Sequence, residues 1–251
     1  MTQEAKEIIF DKYNKKGAYH WRQCSNSLLD TNAHVKARYK IVLKCLKKYA
    51  GHIPAQVLDV GCGDGALAGW ICRSGYGICG IDVDREGLAL AKEKFAENNL
   101  NGKFFYVDNY AYPFNEDSFD AVVCADVIEH VQQPKKLLEE AHRVLKRGGH
   151  LVITTPIKVE GATLGSNHVQ EWSVNEFTEL CSKVFGAPVQ RIISHPLFLY
   201  QLYTSKKRPI RAASRLAVNI FSILHINMFL KTACGNTNKY QMQTLVLRKA
   251  G

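Results

Sequence analysis

After Glu179 the sequence contains no Asp or Glu at all, and its eight cysteines include no Cys-x-x-Cys pair. Nor is there an uncharged apolar run of roughly 18 residues, the length a spanning helix needs. Each absence excludes something. Without paired cysteines, neither a zinc knuckle nor a dithiol redox motif is indicated. Cys79 and Cys124 sit in apolar runs, where a thiol behaves as a small hydrophobe, so free thiols in a reducing compartment are expected. Without a long apolar run, a membrane-spanning segment is not expected. The first twenty residues also lack an apolar core of the secretory type, so a cleaved leader is not expected. A cytoplasmic protein, at most peripheral on the inner face of a membrane, is the expectation.

The missing acids make the charge uneven. Residues 180–251 carry 11 Lys+Arg and no acid, and residues 1–50 carry 11 against 4, while 51–179 hold 11 bases and 19 acids. An acidic centre thus lies between two basic flanks, which attract phosphates, anionic headgroups or nucleic acid. With 251 residues, 46% hydrophobic and 22% charged, the chain has ordinary globular proportions.

From about residue 55, short apolar runs alternate with amphipathic segments. The pattern predicts strands over 56–60, 77–81, 104–107 and 121–125, then 150–154 after a Gly148-Gly149 turn. Helices are predicted over 67–73, 86–97 and 134–145. This alternation specifies an α/β protein: a Rossmann-like, doubly wound sheet with right-handed crossovers. Upstream, Val35, Tyr39, Val42, Leu43, Leu46 and Tyr49 form one apolar stripe, with lysines mostly opposite, so residues 1–50 read as a helical cap or lid. The main domain is expected over 51–251. Ser173 and Glu176 form a capping box for a helix over 173–184. Strands at 189–194 and 241–248 leave about 45 residues between them, so a structured, helical insertion over 196–238 is expected.

The strongest local signal is VLDVGCGDG at 57–65. A buried strand running into Gly-x-Gly-x-Gly lets a ligand lie against main-chain atoms. Asp59 beside that loop repels pyrophosphate and suits a cationic ligand bearing an ammonium group. Asp82 ends the second strand, where a carboxylate accepts both ribose hydroxyls, and Asp108 ends the third, within reach of an adenine amine. Ribose, adenine and amino-acid recognition without phosphate recognition describes S-adenosylmethionine.

These motifs resemble those of class I S-adenosylmethionine-dependent methyltransferases, in the broad group that includes ubiquinone- and menaquinone-pathway enzymes. VLDVGCGDG is similar to that family's first motif, GIDVD to its second, and VDNYAYPFNEDSFDAVVCADVIEHV to its third and fourth; LLEEAHRVLKRGGHLVITTP is similar to the segment after them. The resemblance implies seven strands with an antiparallel last one. It implies that Asp59, Gly61 and Gly63 meet the methionine part, Asp82 and Val83 the ribose side, Asp108 and Asn109 the adenine, and Ala125 the sulfonium.

Methyl transfer needs alignment above all, and a base when the acceptor is a hydroxyl. Glu129, His130, His168 and Glu171 are the candidates, with His130 and His168 as the catalytic choice. Asp126, Glu129 and His130 at i, i+3 and i+4 would share one face of a helical turn, so a metal site with His168 as fourth ligand is one expectation; the other leaves His130 orienting the loop and Asp126 in water. Tyr19, His20 and Trp21 read either as an aromatic lid or as an anchor on the core.

The basic segment 205–231 is the most individual. Arg208, Arg211, Arg215, Asn219 and Ser222 form a polar stripe against Leu216, Ile220, Phe221, Leu224, Met228 and Phe229. Membrane contact, with Phe221 and Phe229 in lipid, stands beside a pocket roof and a dimer contact. A small-molecule or lipid-linked acceptor ranks first, with methylation at oxygen of a glycan, quinone or lipid-linked group. An RNA methyltransferase and a non-catalytic cofactor-binding protein are the alternatives, nucleic acid being disfavoured because no stacking pattern accompanies the basic residues.

Overall fold

The computed structural model describes residues 12–51, 53–159, 167–233 and 237–251. Cys234 and the 160–166 stretch before Asn167 lie outside these residues, as do the first eleven residues of the expected cap. The strands are β1 Gln56–Val60, β2 Gly77–Asp82, β3 Lys103–Tyr106, β4 Phe119–Ala125, β5 Leu145–Pro156, β6 Gln190–Pro196 and β7 Tyr240–Arg248. They form one sheet in the order 3-2-1-4-5-7-6, with β7 antiparallel to both β5 and β6. The described helices are α1 Lys12–Lys16, α2 Tyr19–Gln23, α3 Ala33–Tyr49, α4 Ala66–Arg73, α5 Arg85–Glu97, α6 Pro134–Val144, α7 Val174–Phe185, α8 Leu197–Tyr203 and α9 Arg208–Ile223.

Local chemistry sets several helix starts. The Asn32 side chain accepts from the backbone N–H of His34 and Val35, and Asp84 accepts from Gly87. At α7 the Ser173–Glu176 capping box is present in both directions. Sheet burial follows from hydrophobic runs: Leu58, Val122, Val123, Leu151, Val152 and Ile153 are fully buried. One apolar cluster joins the sheet to α3, α4 and α5, the other joins it to α6 and α7. Parallel sheets need both faces covered, and this one has them.

Three local expectations change. The Gly148-Gly149 pair does not precede the strand; β5 begins at Leu145 and absorbs the pair as a register shift against β4. Lys36, expected on the outer face of α3, is buried, its ammonium donating to the Ser25 carbonyl and to Asn26 Oδ1. The helix in 205–231 ends at Ile223, and its C-terminal half buries polar side chains while leaving apolar ones exposed. Asn219 and Ser222 are buried, while Leu216, Ile220, Phe221 and Leu224 are exposed. Asn219 accepts from the Tyr203 hydroxyl at 2.7 Å and donates to the Thr31 carbonyl at 2.8 Å, so the polar stripe ties the insertion to α3. Phe229 is fully buried against Tyr203, Val218 and Ala37, so it belongs to the core rather than to any lipid-facing surface.

Candidate active site

The C-terminal ends of β1, β2 and β4 lie side by side, with Val60 paired to both Ile81 and Cys124. Sequence therefore delivers Asp59, Asp82 and Ala125 to one edge of a parallel sheet, where ligands of open α/β folds bind. A cavity of about 450 Å³ opens there.

The loop after β1 turns through three glycines of positive φ, Gly61, Gly63 and Gly65. A Cβ on Gly61 would stand 2.3 Å from Val127 Cγ2, so a side chain there has no room. Asp59 is 2% exposed, and its Oδ2 has no hydrogen-bond partner. Burial, and secondly the Asp82 charge, push its carboxyl up to about 8. A buried acid with an orphaned oxygen fits a ligand that brings both a positive charge and N–H donors. Asp82 accepts from Gly63 N–H at 2.6 Å and Asp84 N–H at 2.9 Å. It binds the glycine loop to β2 and retains lone pairs for hydroxyl groups, while burial raises its pKa. Val83, Asn109 and Ala125 line the cavity. Asp108 is exposed and does not line it, and Asn109 spends its Oδ1 on Ala111 N–H.

Sequence reasoning assigned no role to Asp64. Buried at 1% exposure, it accepts from the His20 backbone N–H at 2.9 Å, and its carbonyl accepts from Trp21 Nε1 at 2.6 Å. With Tyr13, whose hydroxyl stands where a Gly63 side chain would be, these contacts seat α1 and α2 on the glycine loop. Tyr13, Tyr19 and His20 line the cavity, and Trp21 packs against Gly69 and Phe95. The lid and anchor expectations are thus divided between neighbouring residues.

On the opposite wall stand Glu129, His130 and His168, whose ligand atoms all lie within 4.8 Å of one another. The expected metal quartet is not assembled. Asp126 adopts φ 57, accepts from the Thr154 hydroxyl and pairs with Arg38, because the chain after β4 forms a short 3₁₀ turn (Ile128–His130) rather than an α-helical one. Glu129 is 1% exposed, accepts from the Thr155 hydroxyl at 3.1 Å, and is pushed up to about 7 by burial. His130 Nδ1 lies 2.7 Å from the Asn167 carbonyl, which requires the proton on Nδ1; burial lowers its pKa. His168 Nδ1 lies 2.5 Å from Glu171 Oε1, which orients that ring in the same way. The Glu129 carbonyl accepts from Val169 N–H, so the loop carrying His168 is fastened to the turn carrying His130.

A further wall comes from elements that carry no motif. His34 and Arg38 of α3, Tyr200 of α8 and Gln241 of β7 all line the cavity. None was singled out from sequence, where the only trace is the four-residue spacing of His34 and Arg38 on one helical face.

Comparison with known proteins agrees with this geometry. Residues 58–153 match the methyltransferase domain family. A ubiquinone biosynthesis O-methyltransferase of Alkalilimnicola ehrlichii is 33% identical over 120 residues, covering 47% of each chain. One from Serratia proteamaculans is 32% identical over 112 residues, 44% of this chain and 46% of its own. The chain spans about half the length of the curated relatives it matches. Among solved structures, a Haemonchus contortus phosphoethanolamine N-methyltransferase 2, bound to phosphomonomethylethanolamine and S-adenosylhomocysteine, superposes with TM-score 0.64 at 19% identity, over 96% of this chain and 58% of that one. A [4+2]-cyclase, SpnF, superposes with TM-score 0.59 at 18% identity, over 84% and 80%. A cyclase on this fold means that architecture alone does not name the reaction. The glycine loop, its flanking acids and the matching segment do name the domain: residues 58–153 are a methyltransferase domain of the class I, S-adenosylmethionine-dependent kind.

Proposed function

We propose that the chain transfers the methyl group of S-adenosylmethionine to an oxygen of a small-molecule acceptor, a glycan, quinone or lipid-linked group, with His168 and His130 as the proton-accepting residues. The observation that carries this reading is the His168 imidazole, oriented through Nδ1 by Glu171 and beside His130, in the cavity that Asp59 and Asp82 also line. The O-methyltransferase relatives point the same way over the segment they share.

The residues present fit the cofactor. Asp59 would hold the methionine ammonium, Asp82 the ribose hydroxyls with Val83 beside them, Asn109 the adenine side, and Ala125 the neighbourhood of the sulfonium. When bound, S-adenosylmethionine supplies an electrophilic methyl group and leaves as S-adenosylhomocysteine. The chain's own part is to align the acceptor oxygen, exclude water under Tyr13 and Tyr19, and take the hydroxyl proton. As the oxygen–carbon bond forms, the proton passes to an imidazole Nε2, and Glu171 stabilises the imidazolium through Nδ1–H.

A direct test incubates the protein with radiolabelled S-adenosylmethionine and catechol, with and without EDTA. Turnover that falls about 10²-fold or more in His168→Ala supports the base assignment; undiminished turnover in both His168→Ala and His130→Ala refutes it. Loss with EDTA, restored by Mg²⁺, would instead make Glu129, His130 and His168 metal ligands.

The same reading places segment 205–231 on an anionic membrane. Leu216, Ile220, Phe221, Leu224 and Ile226 are exposed, beside Lys206, Lys207 and Arg208 and within a stretch lacking acids. Apolar side chains in the acyl boundary and cations at headgroup level suit such a surface. Among the described residues, no helix is long and apolar enough to cross a membrane. Co-sedimentation with phosphatidylglycerol-containing vesicles, lost in Phe221→Glu, is the expected result; equal sedimentation of the variant overturns it.

A further inference from the structure

Three side chains of the acceptor wall carry hydrogen-bond donors without acceptors. Arg38 pairs with Asp126 through Nη1, yet its Nε is buried and has no partner. Gln241 uses Oε1 to accept from His34 Nε2 at 3.1 Å, and among the described residues its amide N–H groups meet no acceptor. The Tyr200 hydroxyl likewise meets none among the described residues, its ring standing 5.1 Å from that of His34. His34 therefore stands between Gln241 and Tyr200 and one helical turn before Arg38, and all four line the same cavity.

An unsatisfied buried donor is costly unless a ligand completes it. Here the buried orphan is the Nε–H of a permanent cation already held at Nη1 by Asp126, and the Gln241 and Tyr200 donors line the same cavity. Asp126 is itself engaged by the Thr154 hydroxyl and backbone, which fixes the side from which Arg38 is held. The three elements that supply the donors, α3, α8 and β7, lie outside the segment matched by the methyltransferase domain. The cofactor half does not dictate them.

We propose that Arg38, Gln241 and Tyr200 form an anion subsite, which takes a carboxylate or phosphate carried by the acceptor and so selects anionic acceptors. This rests on the acceptor-binding reading above and deepens it. Arg38 meets the anion through its Nε edge while keeping Asp126; Gln241 and Tyr200 add neutral donors. The His34 ring, set edge-on against a buried His195 and Phe229, keeps Gln241 oriented.

The test titrates the S-adenosylhomocysteine complex with benzoate, phenyl phosphate and neutral benzamide, using calorimetry or ligand-observed NMR. At least one anion is expected to bind tenfold or more tightly than benzamide. Arg38→Gln is expected to erase that preference, and Tyr200→Phe and Gln241→Leu, which leave the Arg38–Asp126 pair intact, to weaken the anion about threefold each. Binding of phenyl phosphate alone identifies phosphate as the group, and of benzoate alone a carboxylate. Equal binding of all three probes, no binding of either anion, or an unchanged preference in all three variants overturns the proposal. S-adenosylhomocysteine affinity is measured separately, so failure of cofactor binding is distinguishable from failure of the subsite.

Discussion

The cavity has two walls built on different terms. Toward the cofactor, Asp59, Gly61 and Asp82 sit at strand ends or in one turn, and few residues separate each from the strand that positions it. Toward the acceptor, Arg38, Tyr200 and Gln241 come from elements separated by as much as 203 positions, held by tertiary contacts such as the Asn219 bonds to Thr31 and Tyr203. The first wall is a local consequence of strand–turn–helix chemistry. The second depends on how an insertion and an N-terminal helix pack. A class of enzymes that keeps one cofactor and varies its acceptor can change the second wall without disturbing the first.

The comparison can be broken from either side. The largest effect is expected for Asp82→Ala, which removes a carboxylate that binds the loop and would bind two hydroxyls. Two charge-assisted hydrogen bonds at about 1.5–3 kcal/mol each correspond to a loss of roughly 10²–10⁴ in cofactor affinity, measurable by calorimetry with S-adenosylhomocysteine. Near-normal affinity would remove Asp82 from the cofactor wall. Glu171→Gln is expected to reduce turnover about tenfold or more while leaving cofactor affinity unchanged, because it acts through His168; a matching loss of cofactor affinity would show that the walls are not separable.

Asp59 gives a sharper readout. Its carboxyl stands near 8 in the cavity because burial disfavours the charge, and an incoming ammonium favours it. Cofactor binding at pH 7 should release a proton, so the apparent enthalpy should vary with the buffer's ionisation enthalpy, and Asp59→Asn should abolish that dependence. A buffer-independent enthalpy in the unaltered protein would exclude the ammonium assignment. On the acceptor side, Asn219→Ala is expected to cost about 1–3 kcal/mol of stability by leaving buried partners unsatisfied, read by denaturant unfolding. An unchanged midpoint would mean that the insertion is held by its apolar contacts alone.

A further effect concerns pH. Glu129 is raised from 4.5 to about 7 by burial, so the folded chain keeps a proton that the unfolded chain gives up between those values. Stability should therefore fall as pH rises through that window. Glu129→Gln should flatten this part of the profile, leaving the slope that Asp59 contributes up to about 8. An identical profile in the variant would show that Glu129 ionises freely.

The cofactor wall was legible in sequence because each of its residues is tied to a pattern. Asp59 and Asp82 end apolar runs, and the glycines follow the first of them. The acceptor wall was legible only where a motif ran past it, as at His130 and His168. Asp126 went astray because spacing assumed an α-helical turn, whereas its left-handed backbone and the Arg38 pair send it elsewhere. Asn219 was misread because periodicity finds the two faces of a helix but not which one meets the protein, and Phe229 because the helix ends at Ile223 and Phe229 lies on a separate turn, Met228–Leu230.

The sequence by itself determined the doubly wound sheet, its strand order at the glycine loop, and the acids Asp59 and Asp82 that line the cavity, because alternating hydrophobicity and glycine-bearing turns act over a few residues. Only the tertiary structure decided that Asn219 and Ser222 of α9 turn inward, that Asp126 pairs with Arg38 instead of joining the histidines, and that donors from α3, α8 and β7 meet in one cavity. Those outcomes depend on satisfying buried polar groups across long separations, which no local pattern encodes.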